Sequence, residues 1–259
     1  MSIELTNDDL YQQFLIKYGK PEEVGWGPQR RLRFNYYSAG DIYEATVNKL
    51  VTPDTVWVDV GGGRAIFPHN KNLSIQLAER CKRIVAVDPS SNIHEHPYAH
   101  EKHQAMFEGF ETETRFDLAT FRMVAEHVED PDAVVGKLRN IMKPGGIVVI
   151  YTINKFCPVS IFTYLTPFSI HFKIKSFFFG GEEADTFPVA YKMNTRKTLR
   201  TLFERHGFAE KEFRYLDDLS TFSRFKFLNL IELSVWKVLN TIGLPYPENN
   251  LLGVYRLSE

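Results

Sequence analysis

The sequence predicts an α/β fold organised as a doubly wound, mostly parallel sheet. Short apolar runs at 55–60, 83–88 and 147–153 are rich in β-branched residues and are bounded by turn residues, which is typical of buried strands. Segments with helical spacing, 71–81 and 130–142, separate these runs. Because strand and helix alternate in this way, parallel strands joined by helical crossovers are the simplest architecture.

Each predicted element is bounded by local signals. The strand at 55–60 stops at three consecutive glycines, and the strand at 83–88 stops at an acid. Asp130 is placed to cap the helix at 130–142, with Pro131 in its first turn, and the sequence KPGG ends that helix. The remaining predicted elements are a strand at 115–121, an amphipathic helix at 195–208, and strands at 211–216 and 251–257.

The alternating pattern covers only part of the chain, and three segments fall outside it. At 259 residues the chain can form one large α/β domain, so we predict a single domain over 1–259. Its core is predicted at about 45–153, 193–216 and 250–258, and the segments expected to form a cap over the sheet edge are 1–44, 154–192 and 217–249. The middle cap segment is densely aromatic.

Charge and composition narrow the classes of partner and the compartment. The 31 basic and 32 acidic residues leave no positive field that would recruit nucleic acid. The N-terminal residues carry acids where a signal peptide would carry a basic and then an apolar region, and no apolar stretch is long enough to span a membrane. Two widely spaced cysteines, Cys81 and Cys157, fit reduced thiols. We therefore expect a cytoplasmic protein, with peripheral membrane contact as an option.

The glycine turn after the first predicted strand is the most informative motif. One residue separates Asp59 from the three glycines Gly61, Gly62 and Gly63, and the sixth position counted from the first glycine is Ile66. A dinucleotide-binding turn needs glycine at that sixth position, so the match to a pyrophosphate site is poor. An acid at the end of the first strand can instead face a cationic group of a ligand. A nicotinamide-dependent oxidoreductase stays as the alternative.

Several motifs resemble, in the right order, those of the class I S-adenosylmethionine-dependent methyltransferases. VWVDVGGGRA, 56–65, looks like their first motif, and VAVDPS, 85–90, looks like the second. FEGFETETRFDLATFRMVAEHVEDP and LRNIMKPGGIVVIYTIN are similar to the later ones. The resemblance implies a Rossmann-like, seven-stranded methyltransferase fold with helical and aromatic cap insertions, and S-adenosyl-L-methionine as the cofactor.

The resemblance also assigns residues to the cofactor. It implies that the glycine turn lies against the amino-acid part of the cofactor and that Asp88 binds both ribose hydroxyls. Two charge-assisted hydrogen bonds from a vicinal diol fit a single carboxylate. The full implied set is Asp59, Gly61, Gly62, Gly63, Asp88, Pro89, Gly109, Phe110, Phe121 and Arg122. The sequence departs from the pattern at Gly109, where many members carry an acid that holds the adenine amine.

Two sets of histidines are candidates for chemistry. His127 follows the fourth strand of the motif pattern, where a general base could act on a hydroxyl acceptor; the alternative is a structural role for this residue. A second set, His94, His96, His100 and His103, could be drawn as a zinc site. Pro97 lies inside that cluster and no cysteine is near, so we predict no metal.

The acceptor is expected to be a small molecule held by the cap segments. We predict methylation of a hydroxyl on an aromatic, lipidic or sugar-type acceptor, with a non-catalytic cofactor-binding member of the fold as an alternative. The residues predicted to contact the acceptor are Tyr36, Tyr37, Tyr191 and Asn194. The segment 222–243 has an apolar face wider than one sheet contact needs, which favours either a homodimer or a membrane surface.

Overall fold

Three helices precede the first strand. They are α1 (Asn7–Tyr18), α2 (Trp26–Arg33) and α3 (Ala39–Leu50). α1 and α3 both begin with a capping box, in which the hydroxyl of Thr6 or Ser38 accepts from the backbone N–H three residues on. The computed structural model describes residues 3–157, 189–219 and 222–258. Residues 158–188 of the predicted aromatic cap segment lie outside the described residues.

The described part of the chain forms a seven-stranded sheet. Its strands are β1 (Val56–Val60), β2 (Arg83–Asp88), β3 (Glu101–Gln104), β4 (Phe116–Arg122), β5 (Met142–Ile153), β6 (Phe208–Leu216) and β7 (Asn250–Leu257). The order across the sheet is β3-β2-β1-β4-β5-β7-β6. Strands β1 to β5 pair in parallel, and β7 is antiparallel to both β5 and β6. The predicted doubly wound, mostly parallel sheet is therefore confirmed.

Helices cover both faces of this sheet. The others that position the site are α4 (Lys71–Arg80), α5 (Pro131–Ile141), α6 (Arg196–Arg205) and α7 (Lys226–Thr241). One apolar cluster joins one sheet face to residues of α5 and α6, and a second cluster joins the other face to α3 and α4. Side chains cap the N-termini of three of these helices: Asn70 caps α4, Asp130 caps α5 and Thr195 caps α6. The cap at Asp130 is the one that the sequence predicts.

The structure corrects three predicted boundaries. The KPGG sequence does end α5, but it belongs to β5, which begins at Met142 rather than 147. β6 begins at Phe208, three residues before its predicted start, because Phe208 is buried in the core. β3 lies within the histidine-rich segment, where the sequence predicts no strand. Its sequence is polar, and it is held as an edge strand by backbone pairing with β2.

The N-terminal segment and the segment that contains α7 meet next to the carboxyl end of β6. Tyr36 packs edge-to-face on Trp236, with ring centroids 5.0 Å apart, and its hydroxyl accepts from the Leu219 N–H at 3.1 Å. Arg30 donates to the carbonyl of Lys226, which joins α2 to the start of α7. Among the helices that the structure describes, none is both long and apolar enough to cross a membrane.

Candidate functional site

The turn after β1 needs glycine for steric reasons. Gly61 has a φ of +69°, and its N–H donates to the Val87 carbonyl at 2.8 Å, which ties the turn to β2. A Cβ at Gly61 would lie 2.2 Å from Cγ2 of Val124, in the segment after β4. Gly63 also lies in the left-handed region, with a φ of +49°. The backbone of this turn therefore packs closely on its neighbours at the sheet edge.

Asp88, the last residue of β2, lies directly beside this turn. Its Oδ2 accepts from the Gly63 N–H at 3.0 Å, and its Oδ1 accepts from the Ser90 N–H at 2.8 Å. A carboxylate has about four acceptor positions, so these two bonds leave capacity for a ligand. The predicted neighbours Gly61–Gly63, Asp88 and Pro89 are thus brought together at the carboxyl ends of β1 and β2.

Asp59 occupies the layer beneath the turn. Only 3% of the residue is exposed, and its Oδ1 accepts from the Thr120 hydroxyl at 2.6 Å. The hydroxyl oxygen of Thr120 accepts in turn from the indole N–H of Trp57 at 2.7 Å. Burial raises the pKa of Asp59 to about 7, although the Thr120 bond and the charge of Arg122 act in the opposite direction. The carboxyl is therefore held inward, under Gly62, rather than projecting from the edge.

The end of β4 supplies a cation to the same place. Arg122 is the last residue of β4, and its positive charge lowers the pKa of Asp59 and of Glu126 against the raising effect of burial. Phe121 precedes it, is fully buried, and packs edge-to-face on Phe107. Met123 follows with a φ of +55°, a conformation that is uncommon for its residue type and is held by a bond to the Tyr151 carbonyl. Arg122 is therefore at the site, and Phe121 supports it from the core.

Gly109 and Phe110 have different surroundings. A Cβ added at Gly109 would meet no atom within 4 Å, so the space beside this backbone is open. Phe110 is 3% exposed, and its ring lies 4.9 Å from the imidazole of His103. The backbone at Gly109 therefore borders open space, whereas Phe110 belongs to the buried apolar core.

Glu126 is a site residue that the sequence reasoning missed. It is 2% exposed, its Oε2 accepts from the Thr152 hydroxyl at 2.7 Å, and burial raises its pKa. Its carbonyl accepts from the N–H groups of Ala190 and Tyr191. Glu126 therefore fastens the segment at 189–194 to the ends of β4 and β5. In the sequence, Glu126 is recognisable only as an acid between apolar residues and a histidine, and no spacing rule singles out this residue.

His127 lies next to Glu126 in a short 3-10 helix, Ala125–His127. Its N–H donates to the Val124 carbonyl at 2.9 Å, and the residue is partly buried. A proton on the His127 imidazole would lower the pKa of Glu126, so the imidazole lies within electrostatic reach of that carboxyl. The structure thus puts His127 at the ligand edge of the sheet, and its role as a base stays a prediction.

The four predicted acceptor contacts separate into two pairs. Tyr36 is 4% exposed in its contact with Trp236 and Leu219, and Asn194 is 1% exposed. The Asn194 amide donates to the Thr152 hydroxyl and to the Ile153 carbonyl, both at 2.8 Å. Tyr37 and Tyr191 are partly exposed, and Tyr191 has a φ of +51°. Tyr36 and Asn194 therefore serve contacts inside the protein.

The histidine cluster is used by the local backbone. Nδ1 of His96 accepts from the Ala99 N–H at 2.9 Å, and burial lowers its pKa to about 4. Nδ1 of His100 accepts from the Ile84 N–H at 3.0 Å, and His94 bonds to Gln104. Within 3–157, 189–219 and 222–258, no three His, Cys, Asp or Glu side chains are grouped as metal ligands.

Comparison with known proteins identifies the family. The family model of a methyltransferase domain matches residues 32–210. A protein from Bradyrhizobium sp. (strain ORS 278) named ubiquinone biosynthesis O-methyltransferase is 36% identical over 161 residues, which cover 54% of this chain and 61% of that protein. The chain thus matches about three fifths of the length of this relative.

Two solved structures share the fold. The S-adenosylmethionine dependent methyltransferase from Mesorhizobium loti aligns with a TM-score of 0.54 and 16% identity, over 83% of this chain and 97% of the other. The YcgJ protein from Bacillus subtilis aligns with a TM-score of 0.52 and 11% identity, over 84% and 98%. Because the matched domain covers well over half of the sequence and the sheet has the seven, mostly parallel strands that the resemblance implies, the chain belongs to the class I S-adenosylmethionine-dependent methyltransferases.

Proposed function

We propose that this protein transfers a methyl group from S-adenosylmethionine to a hydroxyl of a small-molecule acceptor. The observation that carries the proposal is the Asp88 carboxylate beside the glycine turn, with Gly63 N–H at 3.0 Å. A strand-end carboxylate with two acceptor positions left can bind a ribose diol through charge-assisted hydrogen bonds. The open space beside Gly109 lies in the chain segment that the family places against adenine.

The remaining cofactor residues would act in four ways. The backbone of Gly61, Gly62 and Gly63 would lie against the amino-acid part, with Pro89 beside the ribose. Arg122 would pair with the carboxylate of that part, since it is the cation at the end of β4. From beneath the turn, Asp59 would balance the positive charge of the ligand without touching solvent, because it is buried. Phe110 and Phe121 would provide apolar support.

The chemistry needs an aligned acceptor, a dry site and a destination for one proton. When bound, the cofactor supplies an electrophilic methyl group on a sulfonium. His127 would accept the proton of the acceptor hydroxyl, since it lies at the same edge and its ring is within electrostatic reach of Glu126. Glu126 would hold the segment 189–194 in place over the site, through its bonds to Ala190 and Tyr191. Exclusion of water and orientation then contribute to the rate.

Oxygen methylation is the version that the name of one relative favours. The Bradyrhizobium relative is named as an O-methyltransferase of ubiquinone biosynthesis. An aromatic or lipidic acceptor suits a cap that is rich in aromatic residues, and a sugar-type acceptor is the third option. Tyr37 and Tyr191 are the candidates for acceptor contact, because both keep exposed surface. Tyr36 and Asn194 are proposed to hold the cap against the core.

We also propose that residues 1–259 form one domain with a cap built from 1–44, 154–192 and 217–249. The contact of Tyr36 with Trp236 and Leu219 supports this, since it joins the first and last of these segments. The contact of Asn194 with Thr152 joins the return of the middle segment to β5.

Calorimetry and methyl-transfer assays test the proposed function. We expect the full chain to bind S-adenosylmethionine and not NAD, and to transfer labelled methyl to one member of a panel of catechols, polyprenyl phenols and sugars. Binding of NAD alone would support an oxidoreductase and contradict the proposal. Binding of S-adenosylmethionine without transfer to the panel or to cell extracts would support the non-catalytic alternative.

A further inference from the structure

Helix α7 carries an apolar stripe on the side turned away from the rest of the protein. Its inner side, Asn229, Glu232, Leu233 and Trp236, is buried. The outer stripe consists of Phe227, Leu228, Ile231, Val235, Val238 and Ile242, which are between 42% and 73% exposed. At about 100° per residue these six side chains fall within an arc of about 100°, opposite the buried side.

The exposed apolar surface continues beyond the outer stripe. Phe225 precedes the helix and Leu244 follows it, and they are 46% and 54% exposed. Leu230, on the flank of the helix, is 41% exposed. Soluble monomers rarely expose a contiguous apolar patch of this kind, so it marks a surface that binds something.

Within the segment 222–245, which contains the outer stripe, the exposed charged residues are all basic. They are Arg224, Lys226 and Lys237. The one acid in this range, Glu232, is 5% exposed and accepts from the Tyr246 hydroxyl. Lys226 and Lys237 lie on the same flank of α7, about 16 Å apart along its axis. The Lys226 ammonium lies 5.6 Å from the centre of the Trp26 ring, whereas the aliphatic stem of Lys237 can follow the apolar surface while its ammonium reaches outward.

We propose that the outer stripe of α7 docks onto a lipid bilayer that contains anionic lipids. An amphipathic helix with an apolar stripe and flanking cations lies in the plane of such an interface. A second copy of the chain fits this surface less well. Two-fold pairing would bring the basic flanks of two helices together, with no exposed acid between 222 and 245 to neutralise them. Anionic headgroups supply the missing countercharge.

Helix α7, which carries the outer stripe, lies at the edge of the sheet that also holds the candidate site. β6 is parallel to β5, since both are antiparallel to β7, so β6 ends at the same edge as β1 and β2. α7 follows that end of β6, and Trp236 on its buried side donates to Asp217, just after β6. A bilayer at the outer stripe would therefore present a lipidic acceptor at the same edge of the sheet as the site, with β4, β5 and β7 lying between β6 and β1. This consequence rests on the proposed function, whereas the docking itself does not.

Vesicle flotation with the full-length protein tests the docking. The probes are vesicles of phosphatidylcholine alone and of phosphatidylcholine mixed with phosphatidylglycerol. We expect binding to the mixed vesicles that weakens with salt, and a loss of about tenfold or more for Phe227→Ser/Val238→Ser. Lys226→Glu/Lys237→Glu should remove the preference for phosphatidylglycerol. Tyr11→Ser/Met106→Ser, which removes two exposed apolar side chains elsewhere, should bind like the wild type.

Light scattering and calorimetry complete the test. A wild-type protein that fails to float would overturn the docking proposal. Vesicle binding by Phe227→Ser/Val238→Ser, the stripe variant, that equals wild-type binding would also overturn the proposal. So would a wild-type protein that is a dimer without lipid and that becomes a monomer in the stripe variant. An unchanged melting temperature shows that the stripe variant is folded. Stripe-dependent flotation without S-adenosylmethionine binding would support the docking and contradict only the proposed function.

Discussion

The Asp88 carboxylate accepts a hydrogen bond from the backbone N–H of Gly63 across 3.0 Å. This bond joins the end of β2 to the turn that follows β1, two elements separated by α4. The second carboxylate oxygen accepts from the Ser90 N–H, so the side chain is fixed from both sides. The orientation of the proposed ribose ligand is therefore built into the protein before the cofactor binds.

Asp88→Ala is expected to weaken S-adenosylmethionine binding by about tenfold or more. The change removes the acceptor of two hydrogen bonds to a diol, and bonds to charged groups contribute about 1.5–3 kcal/mol each. Titration calorimetry measures the dissociation constant. Asp117→Ala is the matched control, because Asp117 lies at the opposite edge of the sheet, where it binds Val56 and Lys143. This control should lower stability and leave affinity unchanged; unchanged affinity in Asp88→Ala removes the residue from the site.

Gly61→Ala is expected to disrupt the turn. The new Cβ would lie 2.2 Å from Val124, and the φ of +69° is strained for any residue with a Cβ. We expect the free energy of unfolding to fall by about 2–4 kcal/mol, with weaker cofactor binding. Gly243→Ala isolates the strain, since its φ is +73° and nothing lies within 4 Å of its added Cβ. Chemical denaturation should give a loss of about 1 kcal/mol for this control, and equal losses would contradict steric packing at Gly61.

The sequence predicts buried elements better than exposed ones, for a physical reason. β1 and β2 are covered on both faces, so their apolar runs are continuous and their ends differ from prediction by at most one residue. β3 consists of Glu101–Gln104, an edge strand without an apolar face. Its stability comes from backbone pairing with β2, which no side-chain pattern records.

At the candidate site, residues in a short motif are predictable from the sequence, whereas residues with partners far along the chain are not. The glycine turn and Asp88 are predictable because the chemistry needs those residue types at one short spacing. The partner of Tyr36 is Leu219, 183 residues further along the chain, and Asn194 bonds to Thr152. A tyrosine in a cap segment has the same sequence signature whether its hydroxyl meets an acceptor or a backbone N–H, so these two residues required the structure.

Asp59 is expected to make stability depend on pH in a defined direction. Its pKa rises from 3.8 to about 7 on folding because of burial, so between these values the folded state binds a proton that the unfolded state releases. The contribution of this group to the free energy of unfolding therefore falls as pH rises from about 4 to about 7, by on the order of 4 kcal/mol, and is constant above that. Denaturation of the wild type and of Asp59→Asn across this range isolates the effect. A constant difference between the two proteins would contradict the shift.

His127→Ala is expected to slow methyl transfer about 100-fold or more if the imidazole accepts the hydroxyl proton. Cofactor affinity should stay within about twofold of the wild type, because the change removes a base and not a cofactor ligand. The limb of the pH–rate profile that reports the base should also disappear. His69→Ala, at an exposed position, is the control and should keep the wild-type rate. Wild-type turnover and an unaltered profile in His127→Ala would place the base elsewhere.

Lys17→Met is expected to destabilise the attachment of α1 far more than Lys49→Met. Both lysines link α1 to α3, but Lys17 binds Asp41 at 2.8 Å and Glu44 at 2.9 Å with 8% of its side chain exposed. Burial lowers the pKa of Lys17, yet the two carboxylates outweigh it and raise the pKa overall. Removing this cation leaves two buried acids without their ion-pair partner, which costs about 3–5 kcal/mol.

Lys49 provides the exposed counterpart in the same helix pair. It binds Asp9 at 2.7 Å, where the two side chains are 21% and 31% exposed, so its removal should cost about 0–1 kcal/mol. Chemical denaturation measures both losses, and equal values would mean that burial does not govern the strength of the α1–α3 link. α3 packs on the sheet face that also holds Trp57. The Trp57 indole donates to Thr120, whose hydroxyl donates to Asp59 beneath the glycine turn. We therefore also expect Lys17→Met to weaken cofactor binding when the two helices separate.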